Sequence, residues 1–222
     1  MNDFGTISEP WWDDRPVWII GGGPSLAGYD LTDLRARGRV VGTNRAAELV
    51  PCDATFTLDQ TFIKNRADEL ARWALDQEVF AAMDVGWFDP DGNESIPGVT
   101  YLRRIHGTGV GTDPGIIVNG LNSGYGALCL AILKRARDIF LLGYDLRENA
   151  HWHDGYPWQK RGGGMSIYYD RWAARFADIR RDLPGGVTVW NCNPASAVTA
   201  FPFLSYEDIG LPRLQEAADV VH

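Results

Sequence analysis

The hydrophobic positions of this chain fall into short continuous runs that alternate with helical stripes. Val17-Trp18-Ile19-Ile20, Arg39-Val40-Val41-Gly42-Thr43, Ala54-Thr55-Phe56-Thr57-Leu58 and Asp138-Ile139-Phe140-Leu141-Leu142 are apolar or β-branched stretches of strand length. That is the pattern of strands buried on both faces of a parallel sheet. Further strands are predicted over 78–81, 100–102 and 187–191. Helices are predicted over 26–37, 45–49, 61–75, 125–134 and 168–183, with Phe62, Ile63, Leu70 and Trp73 on one stripe and Trp172, Phe176 and Ile179 on another. Strands alternating with helices predict an α/β fold: one Rossmann-like, three-layer domain over 1–222 with a mostly parallel central sheet. Residues 1–15 form a polar N-terminal extension, and Asp89-Pro90-Asp91-Gly92-Asn93 reads as a turn. The stretch 105–120 is too rich in glycine for an element interior and is expected to be a loop over the site or a surface connection. Phe201-Pro202-Phe203 and the acidic tail are expected to pack across the sheet edge.

Polar residues follow directly on the predicted strand ends, where open parallel sheets bind their ligands. The first strand stops in Gly21-Gly22-Gly23-Pro24-Ser25. Its glycines leave no Cβ between the backbone and a ligand, and a helix start there favours phosphate. The spacing is neither G-x-G-x-x-G nor a P-loop, which disfavours an ordinary NAD or Walker-type site. The second strand ends in Asn44-Arg45 and the third in Asp59-Gln60; either ligand contact or helix capping accounts for Asn44 and Asp59. Asn122-Ser123-Gly124 opens an apolar helix with capping oxygens and exposed N–H groups, a second anion contact. Asp145 follows the strand at 138–142, and Asn193-Pro194-Ala195-Ser196 follows the last one. Residues 147–165, with His151, His153, Asp154, Tyr156, Lys160 and Arg161, are expected to form a lid over the site.

Length and charge narrow the function classes. At 222 residues and 45% hydrophobic content the chain can bury a large core. Its net charge of −8 argues against non-specific grip on nucleic acid or anionic membrane, while leaving room for a nucleic-acid acceptor held by a local patch. Cys52, Cys129 and Cys192 form no C-x-x-C pair and read as reduced thiols, which suits the cytoplasm. No secretory leader or membrane-spanning run is expected. Several of the nine tryptophans, Trp11, Trp12, Trp152 and Trp158 among them, stand in polar contexts where they either pack or stack on a base or sugar. A homo-oligomer is compatible with all of this.

Taken in order, Gly21-Gly22-Gly23-Pro24-Ser25-Leu26, Thr43-Asn44-Arg45, Asn122-Ser123-Gly124, Leu142-Gly143-Tyr144-Asp145-Leu146 and Asn193-Pro194-Ala195-Ser196 resemble the motif series of one superfamily. It comprises bacterial single-domain sialyltransferases, Maf-type flagellin glycosyltransferases and archaeal-type 6-hydroxymethyl-7,8-dihydropterin diphosphokinases; short phage-encoded proteins look similar. The resemblance covers roughly 17–203. It implies that Gly22, Gly23, Ser25, Asn44, Ser123 and Gly124 hold a nucleotide-sugar, that Asn193 and Ser196 lie near its base, and that Tyr156, or else Tyr168 or Tyr169, contacts the phosphate. The sialyltransferase general base is a histidine before the last long helix, where this chain has Gly164-Met165-Ser166. Either His151 or His153 takes over that role or sialyl transfer is absent.

Two reaction classes follow, with a non-catalytic nucleotide-binding module as the third reading. In glycosyl transfer, His151 or His153 deprotonates an acceptor hydroxyl while Arg45, Lys160 or Arg161 and the glycine-loop N–H groups stabilise the departing phosphate, and no metal is required. The acceptor, whether glycan, protein, DNA or small molecule, stays open. In diphosphate transfer from ATP, Mg²⁺ is held by carboxylates such as Asp59 and Asp145. A transition metal at His151-x-His153-Asp154 is a weaker signal.

Overall fold

The computed structural model describes residues 4–11, 14–88, 95–147 and 166–214. Strands β1 (Val17–Ile20), β2 (Arg39–Thr43), β3 (Ala54–Thr57), β4 (Glu78–Met83), β5 (Val99–His106), β6 (Ile116–Asn119), β7 (Asp138–Leu142) and β8 (Thr188–Asn191) form one sheet. Their order is β6-β5-β4-β3-β2-β1-β7-β8, and every described pairing is parallel. Parallel strands need both faces covered, and the alternation along β1 shows how. Val17 and Ile19 enter one core with α4 (Ser123–Leu133) and α5 (Ser166–Arg181). Trp18 and Ile20 enter another with α1 (Leu34–Arg37) and the C-terminal residues Tyr206, Ile209 and Leu211. On that second face, α2 (Gln60–Asn65) and α3 (Ala67–Trp73) pack on β4 and β5 through Phe62, Ile63 and Leu70. Helix α4 is apolar almost all round because it is the inner helix of its layer: every residue from Tyr125 to Ile132 is buried. The result is the expected Rossmann-like α/β arrangement.

Several boundaries differ from the sequence reading. The glycine-rich stretch 105–120 contains the end of β5 and all of β6. Its remaining loop is a crossover fixed from inside: Tyr125 Oη accepts from Gly109 N–H at 2.7 Å and donates to Gly109 O at 3.0 Å. The long helix expected over 61–75 is broken at Arg66 into α2 and α3. Of the helix expected over 26–37, only a 3-10 turn at Pro24–Leu26 and the single turn α1 form. Phe203 does bridge β8 at Asn191, but the tail beyond it leaves that edge and packs on the second face, where Arg213 bridges Tyr29.

Within the N-terminal extension, residues 4–11 are docked. Gly5 N–H donates to Tyr101 O at 2.7 Å, Ile7 N–H to Pro114 O at 2.9 Å and Trp11 N–H to Lys134 O at 2.8 Å. The Lys134 side chain, 2% exposed, completes this dock: Nζ donates to both Glu78 carboxylate oxygens at 2.6 and 2.7 Å and to Glu9 O at 3.1 Å. It also lies 5.2 Å from the Trp11 ring centroid. Among the described residues no helix is long and apolar enough to cross a membrane.

Candidate functional site

The chain runs outward from β1 through β2 to β6 and then places β7 on the other side of β1, so the strand order reverses between β1 and β7. Ligands of open α/β sheets bind outside the strand C-termini at such a switch point. Here the two strand exits are joined. The ladder continues past the strands, with Gly21 N–H donating to Leu142 O at 2.7 Å and Gly23 N–H to Gly143 O at 2.8 Å. A Cβ at Gly21 would lie 2.6 Å from Gly143 O, and one at Gly23 would lie 2.5 Å from Asp145 Cγ. These two glycines therefore permit close approach of β1 to β7. Gly22 N–H has no partner among the described residues.

Asp145, 6% exposed, is where this junction is fastened. Ser25 N–H donates to Oδ2 at 2.8 Å, the Ser25 hydroxyl donates to Oδ1, and Asn193 Nδ2 donates to Oδ1 at 2.6 Å. Ser25, Asp145 and Asn193, far apart in sequence, thus meet as one cluster. Ser196 is buried and turned inward: its hydroxyl donates to Tyr144 O and accepts from Val198 N–H at 2.9 Å. Asn193 and Ser196 shape the β8 exit through these bonds.

On the other side of β1, Asn44 and Ser123 stand together. Ser123 Oγ donates to Asn44 Oδ1 at 3.2 Å and accepts from Leu58 N–H at 3.2 Å. Asn122 caps α4, accepting from Tyr125 N–H at 2.8 Å, which leaves the Ser123 and Gly124 N–H groups without a partner among the described residues. Tyr144 packs under that helix start and donates to Gly124 O at 2.9 Å; its burial pushes the phenol well above the usual tyrosine range. Asp59 takes the capping alternative, accepting from Thr61 and Phe62 N–H at 2.9 and 3.1 Å. Arg45 pairs with Glu48 in its own 3-10 turn, its Nε 3.0 Å from each carboxylate oxygen.

Three of the four non-glycine residues with positive φ among the described residues stand on this rim; the fourth, Arg135, follows the C-terminus of α4. Asn44 (φ 51°), Leu121 (φ 77°) and Leu146 (φ 42°) are non-glycine residues in the left-handed region, just beyond β2, β6 and β7. Strained conformations persist where the surroundings over-determine them, and they concentrate at ligand sites.

The carboxylates named for a magnesium ion do not fit a shared one. Asp59 follows β3 and Asp145 follows β7, three strand spacings apart in the sheet, about 14 Å at ~4.8 Å per strand, whereas Mg²⁺ binds its oxygens at ~2.1 Å. Each carboxylate also already accepts hydrogen bonds from the protein. Among the described residues no three His, Cys, Asp or Glu side chains converge as metal ligands. The three cysteines are free and buried, and burial pushes Cys52 and Cys192 up to about 12.

His151, His153, Tyr156, Lys160 and Arg161 lie outside the described residues. Tyr168 and Tyr169 start α5, Tyr168 exposed and Tyr169 half-buried with its ring 5.1 Å from that of Trp172. Other rim residues carried no signal in the sequence. Arg104 on β5 donates from Nε to Asp84 at 3.0 Å and from Nη1 to Leu58 O at 3.2 Å. The Arg104 hydrogen bonds hold the Asp84 carboxyl below the usual range. Leu58 thereby links Arg104 to Ser123 through one residue. Tyr206 likewise carries no signal, because it sits in a tail with no periodicity.

Neither the protein-family models nor the curated proteins match this chain. Among solved structures it is similar to the Maf glycosyltransferase from Magnetospirillum magneticum AMB-1, with a TM-score of 0.60 and 14% identity. The likeness covers 95% of this chain and 36% of that one, so the chain spans little more than a third of the Maf protein's length. At this identity the likeness is one of fold.

Proposed function

We propose that this chain is a glycosyltransferase that takes its sugar from a nucleotide-sugar. The observation that carries the reading is the contact between Asn44 and Ser123 at the C-terminal rim of a Maf-like sheet, on a rim where the N–H groups of Gly22, Ser123 and Gly124 have no partner among the described residues. Such N–H groups suit a phosphate, and the positive end of α4 adds to the attraction. The Asn44–Ser123 pair sets the distance between the β2 exit and the helix start.

In the reaction, the acceptor hydroxyl gives its proton to an imidazole while its oxygen bonds to the anomeric carbon. The bond from that carbon to the phosphate oxygen breaks, and the electron pair leaves on the nucleotide. The base is assigned to His151 or His153 from the sequence. No step passes through Asp59 or Asp145.

Calorimetric titration with CMP, UDP and GDP tests the reading, and one of them is expected to bind without added Mg²⁺. Ser123→Ala should weaken that binding about tenfold, because a hydrogen bond of roughly 1–1.5 kcal/mol to Asn44 and the anchoring of Leu58 N–H are lost together. No binding by any of the three nucleotides to the unaltered protein would end the proposal. Hydrolysis of the matching nucleotide-sugar then reports turnover, and the His151→Ala/His153→Ala double variant should abolish it while still binding nucleotide.

A further inference from the structure

We infer that Tyr206, in the C-terminal segment, is a positioning residue for the nucleotide loop, holding Gly21–Gly23 shut against the β7 exit so that Gly22 N–H is presented to phosphate. The inference rests on the nucleotide-sugar reading and names what keeps that site in shape.

The phenol of Tyr206 is buried at the junction between β1 and β7. Gly143 N–H donates to its oxygen at 2.9 Å, and the same oxygen lies 2.8 Å from Ser25 Oγ. Ser25 spends its own proton on Asp145, so the phenol must spend its single proton on Ser25. The order is fixed: Gly143 N–H to Tyr206, Tyr206 O–H to Ser25, Ser25 O–H to Asp145. Each member of the chain contacts the turn after β1 or the turn after β7, and Tyr206 is the only one to come from outside both. Burial raises the phenol well above its usual range, so it remains a protonated donor at neutral pH.

The segment that carries Tyr206 is itself tied down beside the loop. Asp30 N–H donates to Pro212 O and Leu214 N–H to Gly28 O, both at 2.8 Å. Arg37 Nη1 reaches Gly210 O at 3.3 Å, and the Tyr29 ring stacks edge-on to Tyr206 at 4.7 Å. On the solvent side Tyr29 Oη donates to Glu207 at 2.7 Å and Arg213 pairs with Glu207 at 2.6 Å. The hydrogen bond from Tyr29, with help from Arg213, holds the Glu207 carboxyl down at about 2. Because the segment grips the residues that follow the glycine loop at 28–30, it can set where Ser25 stands. Ser25 is therefore a link in the brace that forms the loop, and the phosphate is left to the backbone N–H of Gly22 and of the α4 start.

The test compares Kd for the best-binding of CMP, UDP and GDP, by calorimetry well below the melting temperature of each variant. Tyr206→Phe removes only the hydroxyl and should weaken binding tenfold or more. Tyr29→Phe, which breaks a hydrogen bond of the same segment on its solvent side, should change Kd less than twofold, as a merely structural role for the tail would also predict for Tyr206→Phe. Ser25→Ala should weaken binding to a similar degree, and the double variant Ser25→Ala/Tyr206→Phe should be no weaker than the worse single one, since both cut one chain. Should Tyr206→Phe fail to fold, Ser25→Ala against Tyr29→Phe carries the comparison. Binding by Tyr206→Phe within twofold of the unaltered protein, or effects that add in the double variant, overturns the assignment while leaving the nucleotide-sugar reading intact. No binding by the unaltered protein overturns both.

Discussion

Asp145→Ala is expected to lower the stability of this protein by about 4 kcal/mol, because three donors converge on its carboxylate and hydrogen bonds to charged groups contribute roughly 1.5–3 kcal/mol each. The sum is trimmed because Ser25 and Asn193 are only partly buried and recover some hydration. For a chain of 222 residues this corresponds to a fall in melting temperature of roughly 8–16 °C. Asp145→Asn should fall between. An amide offers one acceptor oxygen and two N–H donors, so at least one of the Ser25 and Asn193 donors would face another donor. Urea unfolding of the three proteins measures the effect, and a loss under about 1 kcal/mol for Asp145→Ala would show that the junction does not depend on this carboxylate. The same substitution should remove nucleotide binding, since the glycine loop would no longer be fastened to the β7 exit.

The second large effect is expected at the opposite end of the sheet. Lys134→Ala should cost about 3 kcal/mol: it deletes a nearly buried ammonium that bonds Glu78 and Glu9 O and lies over the Trp11 and Phe80 rings, and it leaves a cavity in place of the side chain. Glu78 is 39% exposed and keeps much of its hydration when left alone, which holds the loss at the low end for a broken buried pair. Lys134→Met retains most of the stem and should lose less. Because Lys134 staples residues 4–11 to α4, the loss should appear with faster amide exchange at Gly5, Ile7 and Trp11, whose N–H groups bond across that dock. Unchanged protection of those amides in Lys134→Ala would separate the N-terminal dock from the ion pair. Nucleotide binding should be untouched, as the staple lies at the far end of α4 from Ser123.

The two expectations mark two roles for buried polar groups in one sheet. At the N-terminal ends of the strands a single lysine ties residues 4–11 to α4 and β4. At the C-terminal rim a carboxylate, a serine, an asparagine and a tyrosine fix a backbone turn whose Gly22 N–H has no partner among the described residues. A phosphate site needs both parts, because open donors bind tightly only where the backbone bearing them is already held in place.

Much of this architecture was legible in the sequence, for a physical reason. A parallel strand is buried on both faces, so β1, β2, β3 and β7 had to be continuous apolar runs, and α4 had to be apolar all round as the inner helix. The capping oxygens of Asp59 and Asn122 were readable because they act within a few residues along the chain, whereas Gly21 and Gly23, read from the sequence as ligand-facing, make room for Gly143 and Asp145 about 120 residues away. Strand β6 was hidden because four residues inside a glycine-rich stretch show no period, and only pairing with β5 makes them a strand. What the tertiary structure alone decided is which polar residues meet. Strand order put Asp145 beside Ser25 and Asn193, separated Asp59 from Asp145 by three strands, and brought the phenol of Tyr206 across 181 residues to Ser25. Local sequence chooses elements through near-neighbour forces, whereas a hydrogen bond between strand ends exists only once the whole sheet has set their distance.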